Sequence, residues 1–284
     1  MSEIRIVCIC GAGTMGVGIA QVCATAGYFT ILYDVDPVKI EEARSATESN
    51  LKRLVERQKI SNADKERILE KIKFTSNIND CVADLLIEAI VEKPEPKISL
   101  FQKLLEINNN QTIFATNTSS LSVTKIAESL KNPENIIGLH FFNPPLLMKL
   151  VEVVKTKYTS ENIITTALSF VASINKIAVA CKDSPGFIVN RVARPYYIES
   201  LRLVEEGKTG FEIIDKVLEH RGFKMGPFRL MDVIGNDINY AVSCSVYEQL
   251  KEPERLKPSV IQKEKVEQGA LGKKTGRGYY DYNT

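Results

Sequence analysis

An apolar run, Ile4-Arg5-Ile6-Val7-Cys8-Ile9-Cys10, leads without a break into Gly11-Ala12-Gly13-Thr14-Met15-Gly16, and this junction restricts the fold more than any other stretch of the chain. A run apolar on nearly every residue suits a strand covered on both faces, as in a parallel sheet. Val17 to Ala26 then reads as a helix closed by Gly27, Phe29 to Tyr33 as a second strand, and Asp34 follows at once. The glycine pattern alone matches many loops. Strand, glycines, helix, strand and acid in this order describe a βαβ unit whose turn holds a dinucleotide. Gly11 permits the tight turn, Gly13 lets the backbone approach a pyrophosphate, and Gly16 lets helix and strand pack closely. Ala12, Thr14 and Met15 complete a loop that places the phosphates at the helix N-terminus.

The rest of the chain extends this pattern and then abandons it. Pro37 to Lys71 is a charged helical hairpin, interrupted at Ile60-Ser61-Asn62-Ala63-Asp64, where Ser61 or Asn62 caps the second helix. Its Lys52, Arg53, Arg57 and Lys59 fit a solvated face better than an arm that meets an anionic substrate. Strands are expected over Asp84 to Glu92, Thr112 to Thr116, Leu150 to Val154 and Ile177 to Ala180, with helices from Pro94–Pro96 to Ile107 and from Ser160 to Ile174. Lys182-Asp183-Ser184-Pro185-Gly186 carries the breakers of a domain boundary. Past it, Phe187 to Glu206, Phe211 to Arg221 and Ile234 to Leu250 have helical periodicity. The fold class is therefore α/β, with a Rossmann-type dinucleotide-binding domain over residues 1–184 that carries a helical-hairpin insertion. An all-α domain over residues 185–284 follows. The basic, glycine-rich, aromatic tail at 272–280 reads as a solvated terminus or a phosphate contact.

A formal charge of +2 produces no field that argues for nucleic acid. No apolar run approaches the roughly 18 residues of a membrane span, and the first residues lack the regions of a secretory leader, so a cytoplasmic protein is expected. The six cysteines form no Cys-x-x-Cys pair and read as buried small hydrophobes. Nor does any His/Cys/acid cluster have metal-ligand spacing, so no metal is expected.

Only two histidines occur. His220 precedes Arg221-Gly222 at a helix end, where a cation is merely favourable. His140 ends the apolar run Ile136-Ile137-Gly138-Leu139 and meets Asn143-Pro144-Pro145, which places it at a strand end, where sites are built. Glu152 lies among Leu150, Val151, Val153 and Val154; buried there it needs a partner, whereas alternation could equally turn it to solvent. Ser119, in Asn117-Thr118-Ser119-Ser120, reads either as a helix cap or as a group beside the cofactor.

These segments together resemble the 3-hydroxyacyl-CoA dehydrogenase family, the short-chain 3-hydroxybutyryl-CoA dehydrogenase type in particular, along nearly the whole chain. The resemblance rests on Gly-Ala-Gly-Thr-Met-Gly at 11–16, Ile87-Glu88-Ala89-Ile90-Val91-Glu92, Asn117-Thr118-Ser119-Ser120-Leu121 and Leu139-His140-Phe141-Phe142-Asn143-Pro144. It continues through Met148-Lys149-Leu150-Val151-Glu152-Val153, Lys182-Asp183-Ser184-Pro185-Gly186-Phe187-Ile188-Val189-Asn190-Arg191 and Gly272-Lys273-Lys274-Thr275-Gly276. It implies an NAD-dependent enzyme interconverting an L-3-hydroxyacyl-CoA and its 3-keto form. His140 is then the acid/base, Glu152 its charge partner, and Ser119 and Asn190 the groups that place the reacting oxygen and the nicotinamide. Asp34, Glu92 and Lys97 are implied at the cofactor, Asn143 at nicotinamide and substrate, and Lys274 on the substrate side. The helical arm would cover the CoA through Asn50 and Arg57, positions where relatives commonly carry Ser and Lys; Arg229 stands where an acid is usual. A homodimer built through the C-terminal helices is implied as well. Two other readings stay open: a related dehydrogenase of a free hydroxy acid such as gulonate, and a non-catalytic NAD-binding structural protein.

Overall fold

Strand β1 (Ile6–Cys10) is the third strand from one edge of an eight-stranded sheet, and four of its five residues are buried. The computed structural model describes residues 4–283, which separate into two units meeting between Asp183 and Ser184.

In the first unit α1 (Thr14–Thr25), β2 (Phe29–Tyr33), α2 (Pro37–Glu56), α3 (Asn62–Glu70), β3 (Ile72–Thr75), β4 (Leu85–Glu88) and α4 (Pro94–Ile107) follow β1. Next come β5 (Ile113–Thr116), α5 (Val123–Glu128), β6 (Ile136–Phe141), β7 (Leu150–Lys155), α6 (Glu161–Ser173) and β8 (Ile177–Lys182). Strand order is β3-β2-β1-β4-β5-β6-β7-β8, parallel from β3 to β6. β7 then runs antiparallel to β6, and β8 parallel to β7. The first six strands form the expected dinucleotide-binding sheet, and the carboxyl ends of β1, β4, β5 and β6 lie along one edge of it. Val7, Ile9, Ile19, Leu32, Ile87 and Leu139 belong to one buried apolar cluster beneath that edge.

Local chemistry explains the hairpin. Asp36 caps α2 by accepting from the Val38 N–H at 2.9 Å, with Pro37 opening the helix. Ser61, rather than Asn62, caps α3, and Asp64 answers to the Ser61 backbone, a reciprocal capping box. Lys52, Arg53, Arg57 and Lys59 are exposed. β3 escapes the sequence pattern because it has only four residues, sits at the sheet edge and follows α3 with no breaker between.

The second unit contains α7 (Val189–Glu205), α8 (Phe211–His220), α9 (Pro227–Ile234), α10 (Asn236–Gln249) and α11 (Val260–Glu267). The eight-residue helices α9 and α11 make little more than two turns each, and the sequence reading passed over them. The solvated-terminus reading of the tail is corrected at its aromatic end. Tyr279 is 6% exposed and packs with Tyr197, Leu201, Phe228 and Met231. The Tyr279 and Tyr280 N–H groups donate to the buried Asp232 carboxylate at 3.0 Å each. The aromatic end of the tail is thus part of this unit's core, whereas Lys273, Lys274, Thr275 and Arg277 are exposed. Arg229 has a local reason to replace an acid: its Nε lies 3.9 Å from Asp215 and 3.8 Å from Glu219, and its guanidinium covers the Tyr280 ring. Cys8, Cys10, Cys23 and Cys81 are buried as expected, whereas Cys181 and Cys244 are half-buried. Among the described residues no helix is long and apolar enough to cross a membrane.

Candidate active site

The reversal of direction between β6 and β7 creates the central feature of the site. Antiparallel pairing sets His140 directly opposite Glu152. The two side chains meet at 2.7 Å, Nδ1 to Oε2. Glu152 is fully buried and His140 is 6% exposed, with the Phe142 ring tilted against the imidazole at 4.4 Å. Glu152 therefore belongs to the interior, not to a solvent face. An isolated carboxylate there would be costly, and the imidazole opposite supplies the partner it needs.

Ser119 sits on the loop that leaves β5, and Ser122, three residues on, caps α5. The capping reading of Ser119 is therefore replaced. Its loop is held by Glu92, whose Oε1 accepts from the Ser119 N–H at 3.0 Å, the Ser120 hydroxyl at 3.2 Å and the Thr118 hydroxyl. Behind Glu92 stands Lys97, 1% exposed, its ammonium 3.2 Å from Glu92 and 2.6 Å from the fully buried Glu88. Glu88 also accepts from the Thr116 hydroxyl at 2.7 Å and the Ile90 N–H at 2.7 Å. Burial pushes the Glu88 carboxyl above its ordinary range, with Lys97 pulling against it. At Glu92 desolvation also acts upward, but Lys97, Thr118 and the Ser119 N–H together outweigh it and hold that carboxyl low. Asn117 ties this loop to β6, its Oδ1 accepting from the Phe141 N–H at 2.8 Å.

The glycine loop fits a dinucleotide. A Cβ on Gly13 would meet nothing within 4 Å, so its backbone is open to a pyrophosphate, whereas a Cβ on Gly16 would overlap the Gly11 carbonyl oxygen. Helix α1 has no side-chain cap and no acid in its first turn, leaving its positive end to an anion. Asp34, just past β2, accepts from the Ala12 N–H at 2.8 Å and the Asp36 N–H at 3.0 Å, which fixes its carboxylate beside Gly11-Ala12-Gly13. Thr14 opens α1 and Met15 packs against the core. A cleft of about 540 Å³ runs from Gly13 and Thr14 past Lys39 to Asn50 and Pro145. Asn50 reaches this cleft; Arg57, the C-cap of α2, does not line it. Asn143 is exposed on the turn after β6.

Asn190 and Lys274 belong to the second unit. Asn190 stands in the first turn of α7 and its carbonyl accepts from Arg194 Nε at 3.0 Å. The Lys274 ammonium lies 2.7 Å from both oxygens of Asp237. His220 is exposed, with Nδ1 2.7 Å from the Lys216 carbonyl, in keeping with a structural role. Sequence reasoning missed Glu88, Thr116, Thr118 and Asn117 as parts of the site. The one available signal was an acid, Glu88, inside the apolar run Leu85-Leu86-Ile87.

Two family models match the chain end to end: the NAD binding domain of 3-hydroxyacyl-CoA dehydrogenase over residues 6–184, and the C-terminal domain of the same family over residues 186–282. The chain is 44% identical to the 3-hydroxyadipyl-CoA dehydrogenase of Escherichia coli (strain K12), across 99% of its own length but only 60% of that relative. It is 40% identical to the mitochondrial hydroxyacyl-coenzyme A dehydrogenase of Rattus norvegicus, covering 98% of this chain and 91% of the rat protein. Among solved structures, the (S)-3-hydroxybutyryl-CoA dehydrogenase of Ralstonia eutropha superposes with a TM-score of 0.95 at 35% identity, over 99% of this chain and all of that one.

Proposed function

The chain belongs to the 3-hydroxyacyl-CoA dehydrogenase family and carries its NAD-binding domain, and from that premise we propose that it interconverts short-chain L-3-hydroxyacyl-CoA and 3-ketoacyl-CoA, with His140 as general acid/base and Glu152 as its partner. The observation that carries this reading is the buried 2.7 Å contact between His140 Nδ1 and Glu152.

In the oxidative direction His140 Nε2 takes the proton of the 3-hydroxyl; in reduction it returns that proton to the carbonyl oxygen. Glu152, across Nδ1, selects the tautomer and stabilises the imidazolium formed when the proton arrives. NAD, when bound, supplies the hydride acceptor. Gly11 to Gly16 hold its pyrophosphate, and Asp34 accepts from the adenosine ribose, which favours NAD because a 2′-phosphate would meet this carboxylate. Glu92 and Asn143 serve the cofactor side, and Lys97, being buried, acts there through Glu92. Ser119 and Asn190 orient the reacting oxygen, and Asn50, Arg57 and Lys274 serve the CoA. Two relatives named for four-carbon acyl substrates, from Ralstonia eutropha and from Bacillus subtilis (strain 168), support the short-chain preference.

The test is the rate of NADH oxidation with acetoacetyl-CoA against free acetoacetate, each repeated with NADPH. Turnover of the thioester and not of the free acid is expected, with NADH the better substrate by kcat/KM. Preference for the free acid would move the protein to the hydroxy-acid reading, and no turnover of either would favour a binding protein.

A further inference from the structure

Cys8 and Cys10 stand two residues apart on β1 and so project from one face of the sheet, opposite to Val7 and Ile9, which join the large apolar cluster. Their sulfurs are 3.9 Å apart. Cys81 follows a single 3-10 turn, Ile78–Asp80, and its sulfur completes a group in which all three lie within 4.8 Å of one another. All three side chains are fully buried and all three thiols are free. Three of the six cysteines, two from one strand and a third some seventy residues on, thus converge on one point. Filling that volume requires no sulfur, since alanine or valine would serve, but three soft donors facing one another are a ligand set. A metal about 2.3 Å from each sulfur in a trigonal plane needs sulfurs roughly 4.0 Å apart. One edge of that triangle is already present, and the others need to close by less than about 1 Å.

The donors sit on rigid supports, as a metal site needs. β1 is held between β2 and β4. The Cys81 N–H donates to the Ile78 carbonyl at 3.0 Å. Its carbonyl accepts from Asn108 Nδ2 at 2.8 Å, while Asn108 Oδ1 accepts from the Ala83 N–H at 3.0 Å. Access is short, because the turn covering the sulfurs is a surface element with Val82 52% exposed. We infer that Cys8, Cys10 and Cys81 form a binding site for one thiophilic d10 cation in trigonal sulfur coordination, of the Cu⁺ class. Zinc is disfavoured because its structural sites take four ligands, and among the described residues no His, Asp or Glu joins the three sulfurs. Thiolate softness selects Cu⁺ instead. Binding forms metal–sulfur bonds and releases the thiol protons to solvent, with no change of oxidation state. Ligand spacing along the chain gave no sign of this group, because spacing cannot show residues meeting across a fold.

The test uses the whole chain, reduced, stripped of metal and kept anaerobic, titrated with Cd²⁺, whose thiolate complexes absorb in the near ultraviolet. One ion per chain is expected, with the band retained in Cys181→Ser and Cys244→Ser. In Cys81→Ser, affinity should fall by about a hundredfold or more, beyond the loss of an outer-shell partner. Stoichiometric Cu⁺ should displace Cd²⁺, and roughly tenfold excess Zn²⁺ should not. Absence of a saturable one-to-one band in the wild type, or its survival in Cys81→Ser, overturns the site; displacement by Zn²⁺ as readily as by Cu⁺ overturns the class of ion. Should Cys81→Ser fail to fold, Cys10→Ala takes its place, and the wild-type titration decides on its own.

Discussion

Glu152 reads from its own apolar strand only as a residue in need of a partner; the family resemblance implied His140 for it, and residue order alone did not. Twelve positions separate the two, and only the antiparallel register of β6 and β7 makes them direct neighbours. Residues that share one proton-transfer task lose activity non-additively. His140→Gln is therefore expected to lower kcat about 10²–10⁴-fold with NADH affinity kept, the usual size of a general acid/base contribution. Glu152→Gln should lower kcat less, and the double variant should be little worse than His140→Gln alone. Steady-state kinetics on the four proteins measures the cycle, and fully additive losses would separate the two residues. Lys97 is the sharper case for stability, since one ammonium serves a fully buried Glu88 and a partly exposed Glu92. Lys97→Met strands the Glu88 carboxylate, and breaking such a pair from one side costs about 3–5 kcal/mol. The sign of the pH dependence follows from Glu88. Its folded-state carboxyl is already raised by burial, so its ionisation opposes folding as pH rises through that raised value. Without Lys97 the carboxyl rises further, so the variant's deficit should be largest at neutral pH and shrink on acidification. Urea melts at pH 5 and pH 8 check this, and an equal deficit at both would remove Glu88 from the account.

Among the elements, the β1 to α1 junction separates two kinds of glycine. Gly16 is required by packing, because a Cβ there overlaps the Gly11 carbonyl, whereas Gly13 faces open space. Gly16→Ala is expected to lower the melting temperature. Gly13→Ala should melt close to the wild type while losing NADH affinity, because the added methyl stands where a pyrophosphate approaches. Calorimetric melts with NADH titration distinguish them, and unchanged NADH binding in Gly13→Ala would show that the loop does not hold the cofactor. The glycine loop was legible because its residue types are dictated locally. The Ser119 loop was not. Its serine sits where a cap is normally found, and only Ser122 in that role, with Glu92 behind Thr118, Ser119 and Ser120, shows what each serine does.

For the molecule as a whole, the second unit leaves large apolar side chains exposed, among them Val192 at 71%, Ile213 at 57% and Val217 at 54%. A helical unit of about a hundred residues has little core to spare for such side chains, and self-association is the usual way to cover them. A homodimer is the expected state at micromolar concentration. Sedimentation equilibrium reads this directly, and a monomer at that concentration would contradict it.

The sequence by itself determined what depends on near neighbours in the chain. The dinucleotide turn, the break in the hairpin at Ile60 to Asp64, the change from strands to helices past the breakers at 182–186 and the isolation of an acid in β7 all follow from residue order, because backbone preference and side-chain period act over a few positions. The tertiary structure alone decided the pairings of Lys97 with Glu88 and Glu92, of Asp232 with the tail, and of Cys8 and Cys10 with Cys81, and it gave the His140–Glu152 pair, implied before only by resemblance, its register and its 2.7 Å contact. Each joins residues of different elements. Strand order and register bring them together, and burial makes their contact costly to break.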